Sequence, residues 1–106
     1  MRHVDCTEYP LIGWLLSRAL ATEKKIHRTT LVANAHGRIN MYFHEGVYIL
    51  ECDTNGDHNP NDYYFFRNIE EGKARQVVRG MCELLGECDA EEIEKITSSA
   101  LAFLRN

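Results

Sequence analysis

The sequence predicts a small α+β fold with two layers. A small antiparallel β-meander of three to four strands packs against helices in the order α-β-β-β-(β)-α-α. Three observations predict it. Apolar residues recur at helical spacing at both ends of the chain, the middle third carries strand-type patterning, and two turn signals, His36-Gly37 and Glu45-Gly46, divide that middle third.

The first element reads as a helix from about Glu8 to about Ala21. Leu11, Ile12, Leu15, Leu16, Ala19 and Leu20 share one face, Thr7 is the N-cap, and Pro10 falls in the first turn, where proline is tolerated. The polar stretch Thr22–Lys25 ends it. Strands follow. Thr29–Ala35 is rich in β-branched and small residues. In Arg38–His44, Ile39, Met41 and Phe43 alternate with Asn40, Tyr42 and His44, the period of a half-buried strand. Val47–Cys52 is apolar on both faces, as in a central strand. A long polar loop, Asp53–Asp62, leads to the short aromatic strand Tyr63–Phe66. Two helices close the chain. Asn68 caps the first with Glu71 as its partner, the stripe is Ala74, Val77, Val78, Met81, Leu84 and Leu85, and Gly86 stops it. Asp89 caps the second with Glu92, and Ile93, Ile96, Ala100, Phe103 and Leu104 form its stripe.

The 106 residues amount to a single domain, 1–106, and 44% hydrophobic with 26% charged residues is a globular balance. No apolar run approaches the roughly 20 residues of a membrane span, and the first ten residues have no signal-peptide core, so we expect a cytoplasmic protein. In that setting Cys6, Cys52, Cys82 and Cys88, which form no close pair, are reduced. The net charge of −4 is unevenly spread. Residues 1–28 carry five cations and three anions (+2), residues 29–66 one and five (−4), and residues 67–106 six and eight (−2). An acidic middle third speaks against nucleic acid as a partner.

The loop Asp53–Asp62 sets Asp53, Asn55, Asp57 and Asn59 at alternate positions, as a hard cation requires. These ten residues resemble the start of an EF-hand or dockerin-type calcium loop, which implies a calcium site there. His58 and Tyr64 depart from that pattern, standing where it has glycine and a bidentate glutamate. Otherwise the loop is a solvated connection between strands. A transition-metal site would draw on His27, His36, His44, His58 and the cysteines, with His44 and Cys52 facing each other across the second and third strands, but no CxxC or HxxxH spacing is present. Cys52 beside Asp53, with His44 or His58 near, could be drawn as a nucleophile arrangement, yet nothing local marks an elbow or an oxyanion turn. No phosphate loop or dinucleotide fingerprint occurs, so no cofactor is expected and enzymatic activity is disfavoured.

Lys73, Arg75 and Arg79 lie near one another on the first C-terminal helix. With the α-β-β-β-α order over about residues 8–86, the chain resembles double-stranded-RNA-binding domains, which implies a phosphate grip at that helix. Glu70-Glu71-Gly72-Lys73 replaces the paired-lysine opening of that family.

The aromatic group carries more. With helices on one sheet face, some of the aromatic group Tyr42, Tyr48, Tyr63, Tyr64, Phe65 and Phe66 are expected to line the other, and Tyr42, Tyr48, Tyr63 and Tyr64 with Asp57 and Asp62 are the candidate partner-binding residues. That predicts a protein-binding module (an adaptor, a chaperone-like protein or an inhibitor) whose partner is another protein or a second copy in a homodimer. In size, charge and element type the chain resembles small acidic inhibitors carried by phage or mobile elements, and also secretion chaperones. On this reading Tyr63→Ala or Asp57→Ala leaves folding intact and weakens partner binding.

Overall fold

The computed structural model describes residues 15, 16, 18, 19, 22, 26–44, 46–54, 63–86 and 89–104. Four strands, β1 (His27–Asn34), β2 (Gly37–His44), β3 (Val47–Asp53) and β4 (Tyr63–Phe66), are followed by two helices, α1 (Glu71–Leu85) and α2 (Ala90–Leu104). The strands form one antiparallel sheet in the order β1-β2-β3-β4, the meander expected.

Both hairpins turn over two residues, because Asn34 pairs with Gly37 and His44 with Val47. At the first, the Asn34 side-chain oxygen accepts the backbone N–H of His36 at 2.7 Å and of Gly37 at 3.2 Å. Gly37 has φ +150°, and a Cβ there would overlap the Asp53 carbonyl oxygen, so this corner has room for glycine only. The β1–β2 ladder is regular except at Leu31. Thr30 faces Asn40 and Val32 faces Ile39, which leaves Leu31 as the extra residue of a β-bulge.

One sheet face carries Ile39, Met41, Leu50, Cys52, Tyr64 and Phe66, and both helices pack on it. The α1 stripe is Ala74, Val77, Val78, Met81, Cys82 and Leu85, a clean three-and-four spacing. Leu84, assigned to that stripe from the sequence, is 51% exposed instead, and Cys82 takes the buried position. The N-cap also differs. The extended residue before the helix is Glu70 with no side-chain cap bond, so Asn68 lies two residues too early. Gly86 ends α1 at φ 80°, donating its N–H to the Cys82 and Glu83 carbonyls. Asp89 caps α2 as expected, accepting the Glu92 N–H at 2.8 Å.

The second sheet face is covered as well. Leu15, Leu16, Arg18 and Ala19 are helical, and Leu16 is fully buried in a cluster with Tyr42, Val47, Ile49, Tyr63 and Phe65. Among the described residues no helix is long and apolar enough to cross a membrane.

Candidate functional site

The tyrosines expected on a bare sheet face are not together and mostly not exposed. Tyr42 and Tyr63 are fully buried on the second face, beneath Leu16. Tyr64 is buried on the opposite face, against the helices. The strand alternation behind the expectation holds, but the N-terminal helical residues close the face that it assigned to solvent. Tyr63→Ala would therefore open the core rather than trim a surface. Tyr48 alone keeps partial exposure. Asn55, Asp57, Asn59 and Asp62 lie outside the described residues, and Asp53 is buried at the end of β3. His44 does not face Cys52. The ladder sets His44 opposite Val47 and Cys52 opposite Ile39. Among the described residues no group of three His, Cys, Asp or Glu gathers to hold a metal ion.

The cations of α1 are largely engaged. Arg75 bonds Glu94 of α2 at 2.5 Å and Glu71 at 3.3 Å, and Lys73 stands 5.9 Å from the centre of the Tyr64 ring. The hydrogen bond from Arg75 holds the Glu94 carboxyl below the usual carboxylate range.

A polar row crosses the second face. Thr30 donates its hydroxyl to the Asn40 side-chain oxygen at 2.8 Å, and the Asn40 amide donates to Glu51 Oε1 at 2.9 Å. The Tyr42 hydroxyl donates to the same oxygen at 2.6 Å. Tyr42 is pushed far above the ordinary tyrosine value, first by burial, then by the negative charge of Glu51 and their hydrogen bond. Glu51 and Tyr42 are both 0% exposed, so neither meets a substrate from solvent. The row is a structural network.

An accessible groove lies at the β1 side of the sheet. α2 runs antiparallel along β1, since Phe103 stacks edge-on against His27 at 4.7 Å while Ile96 and Glu92 stand beside Leu31 and Val32. Between them is a groove of about 270 Å³, lined by Leu31, Val32, Glu92, Lys95, Ile96 and Ser99. The bulge builds its floor. With one extra residue in β1, the consecutive Leu31 and Val32 both turn to the helix side and pack against the core. β1 is an end strand of the sheet, so one row of its backbone groups has no strand partner among the described residues.

At the His27 end of β1 lies an aromatic row. The ladder places His27, Phe43, Tyr48 and Phe66 side by side, one from each strand. Phe43 and Tyr48 rings are 4.8 Å apart, and Tyr48 and Phe66 stack at 5.8 Å. Phe43 is 39% exposed and His27 is exposed too. The sequence carried two signals for this region. Leu31-Val32 breaks an otherwise alternating strand, and residues 26–44 contain Arg28 and Arg38 but no acid, in a chain of net charge −4.

No protein-family model matches this chain, and neither a curated protein nor a solved structure is detectably similar to it.

Proposed function

We propose that this chain is a small protein-binding module, an adaptor or inhibitor type of protein, that captures another protein along the β1–α2 groove. One observation carries the reading: an end strand of the sheet lies beside an apolar-floored groove. An end strand offers backbone donors and acceptors, and a neighbouring groove receives the alternate side chains of whatever pairs with it. The exposed Phe43 and the half-buried Tyr48 extend the same surface with aromatic area, the residue type enriched where proteins meet. Tyr48 thus keeps the binding role read from the sequence, while Tyr42, Tyr63 and Tyr64 support the fold. We place the protein in the cytoplasm, where the buried thiols of Cys52 and Cys82 stay reduced.

Selection of a displayed random-peptide library on the immobilised full chain tests this. Ser99→Trp, an exposed position on the groove wall, serves as the blocked control. The expected result is a set of enriched peptides that the wild type retains and Ser99→Trp loses. Enrichment of nothing, or equal retention by both proteins, overturns the reading.

A further inference from the structure

Resting on that reading, we propose that the groove takes an extended peptide that adds to β1 as a fifth, antiparallel strand, with apolar residues at alternate positions and acidic residues in its C-terminal half.

The strand geometry follows from the edge. A segment paired to β1 sends alternate side chains to opposite faces of the sheet. Those on the helix side enter the groove above Leu31, Val32 and Ile96, which is an apolar environment. Those on the other side stand beside Arg28 and Thr30, because Arg28 pairs with Tyr42 and Thr30 with Asn40, both second-face residues.

The charge preference follows from the cations around the groove. Arg28 is exposed on one side of β1 and Lys95 is exposed on the groove wall. Among the described residues neither has an ion-pair partner. β1 itself, His27–Asn34, holds no acidic residue. Among the described residues Glu92 is the one acid in the groove lining, and it lies on α2 toward the Val32 end, away from Arg28. An antiparallel ligand has its C-terminal half beside His27 and Arg28 and its N-terminal half beside Glu92. Acid is therefore attracted at the C-terminal half and repelled at the N-terminal half.

Acetylated, fluorescein-labelled peptides of about eight residues match the length of β1. Valine alternates with threonine, with two threonines replaced by aspartate in the C-terminal half, by aspartate in the N-terminal half, or by lysine in the C-terminal half. Fluorescence polarisation against the full chain reads the affinities. The first peptide is expected to bind about fivefold tighter than the second and about tenfold tighter than the third. Arg28→Glu and, separately, Lys95→Glu reduce that preference, and both positions are exposed, so folding is retained. Methylating alternate backbone nitrogens of the first peptide, in its two registers, is expected to abolish binding in one register and spare it in the other. Equal affinity for the three peptides overturns the charge preference, and binding indifferent to both methylated forms overturns strand addition. If no designed peptide binds while the random library still yields ligands lost in Ser99→Trp, this inference falls and the general reading stands. If sedimentation shows a dimer of the wild type that Ser99→Trp dissolves, the occupant is a second copy and the inference also falls.

Discussion

Replacing Tyr42 with phenylalanine removes a single oxygen atom and separates a structural role from a binding role. That oxygen donates to Glu51 Oε1 at 2.6 Å, and both side chains are 0% exposed, so water has no access to replace it. A hydrogen bond to a charged partner contributes about 1.5–3 kcal/mol net. The Asn40 amide still donates to the same oxygen in the variant, so the carboxyl keeps one donor and the loss falls near the middle of that range, about 2 kcal/mol. For a chain of this length that corresponds to a melting temperature lower by about 8 °C. Thermal and urea unfolding of the wild type, Tyr42→Phe, Glu51→Gln and the double variant measure it, with a coupling of at least about 1 kcal/mol expected between the two sites. The pH dependence adds an independent sign. Tyr42 holds its proton in the native state well above the ordinary value of 10.0, so above that pH the unfolded chain releases its proton first. The stabilisation is complete below pH about 10 and declines by about 1.4 kcal/mol per pH unit above it, so wild type and Tyr42→Phe converge in alkali. A Tyr42→Phe loss under about 0.5 kcal/mol, or strict additivity with Glu51→Gln, would show that the Tyr42–Glu51 hydrogen bond does not stabilise the fold.

Other substitutions probe the remaining geometry. Gly37→Ala should cost about 3 kcal/mol in urea unfolding, since its Cβ meets the Asp53 backbone at a positive φ. Leu85→Ala should cost about 3 kcal/mol, whereas Leu84→Lys should stay within about 0.5 kcal/mol, because only the first of these neighbours is buried. The Arg75–Glu94 pair is exposed, so Glu94→Gln should shift the melting temperature little at pH 7 and less still in high salt. Its small contribution is present above the ordinary carboxylate value and is lost as pH falls through the lowered value of Glu94 in the folded chain, so wild type and variant should coincide in acid.

Local chemistry made the elements legible in the sequence. The turn dipeptides His36-Gly37 and Glu45-Gly46 sit where the hairpins turn, the alternation of Arg38–His44 matches the two faces of β2, and Gly86 and Asp89 bound the helices as their side chains require. Registration between distant segments was not legible. Whether Tyr42 and Tyr63 meet solvent depends on where Leu16 lands, and no periodicity within a strand encodes that. The same limit explains Leu84 and Cys82. Both fit an apolar stripe within their tolerance, and only packing into the helix-side core selects the thiol. The groove was hidden because it belongs to two elements far apart in the chain, joined by a one-residue irregularity in β1.

The Thr30–Asn40–Glu51–Tyr42 row has a consequence for how the meander finds its alignment. Sliding β2 along β3 by two residues keeps every side chain on its own face, so the apolar contacts alone tolerate the error. The row does not tolerate it. In the slip that sets Asn40 opposite Ile49, the buried amide loses the carboxyl oxygen that accepts its hydrogen bond. Leaving such groups unmatched costs a few kcal/mol, on the order of a sizeable share of a small domain's whole stability. Glu51 therefore favours the native alignment over that slip, which greasy side chains alone would accept.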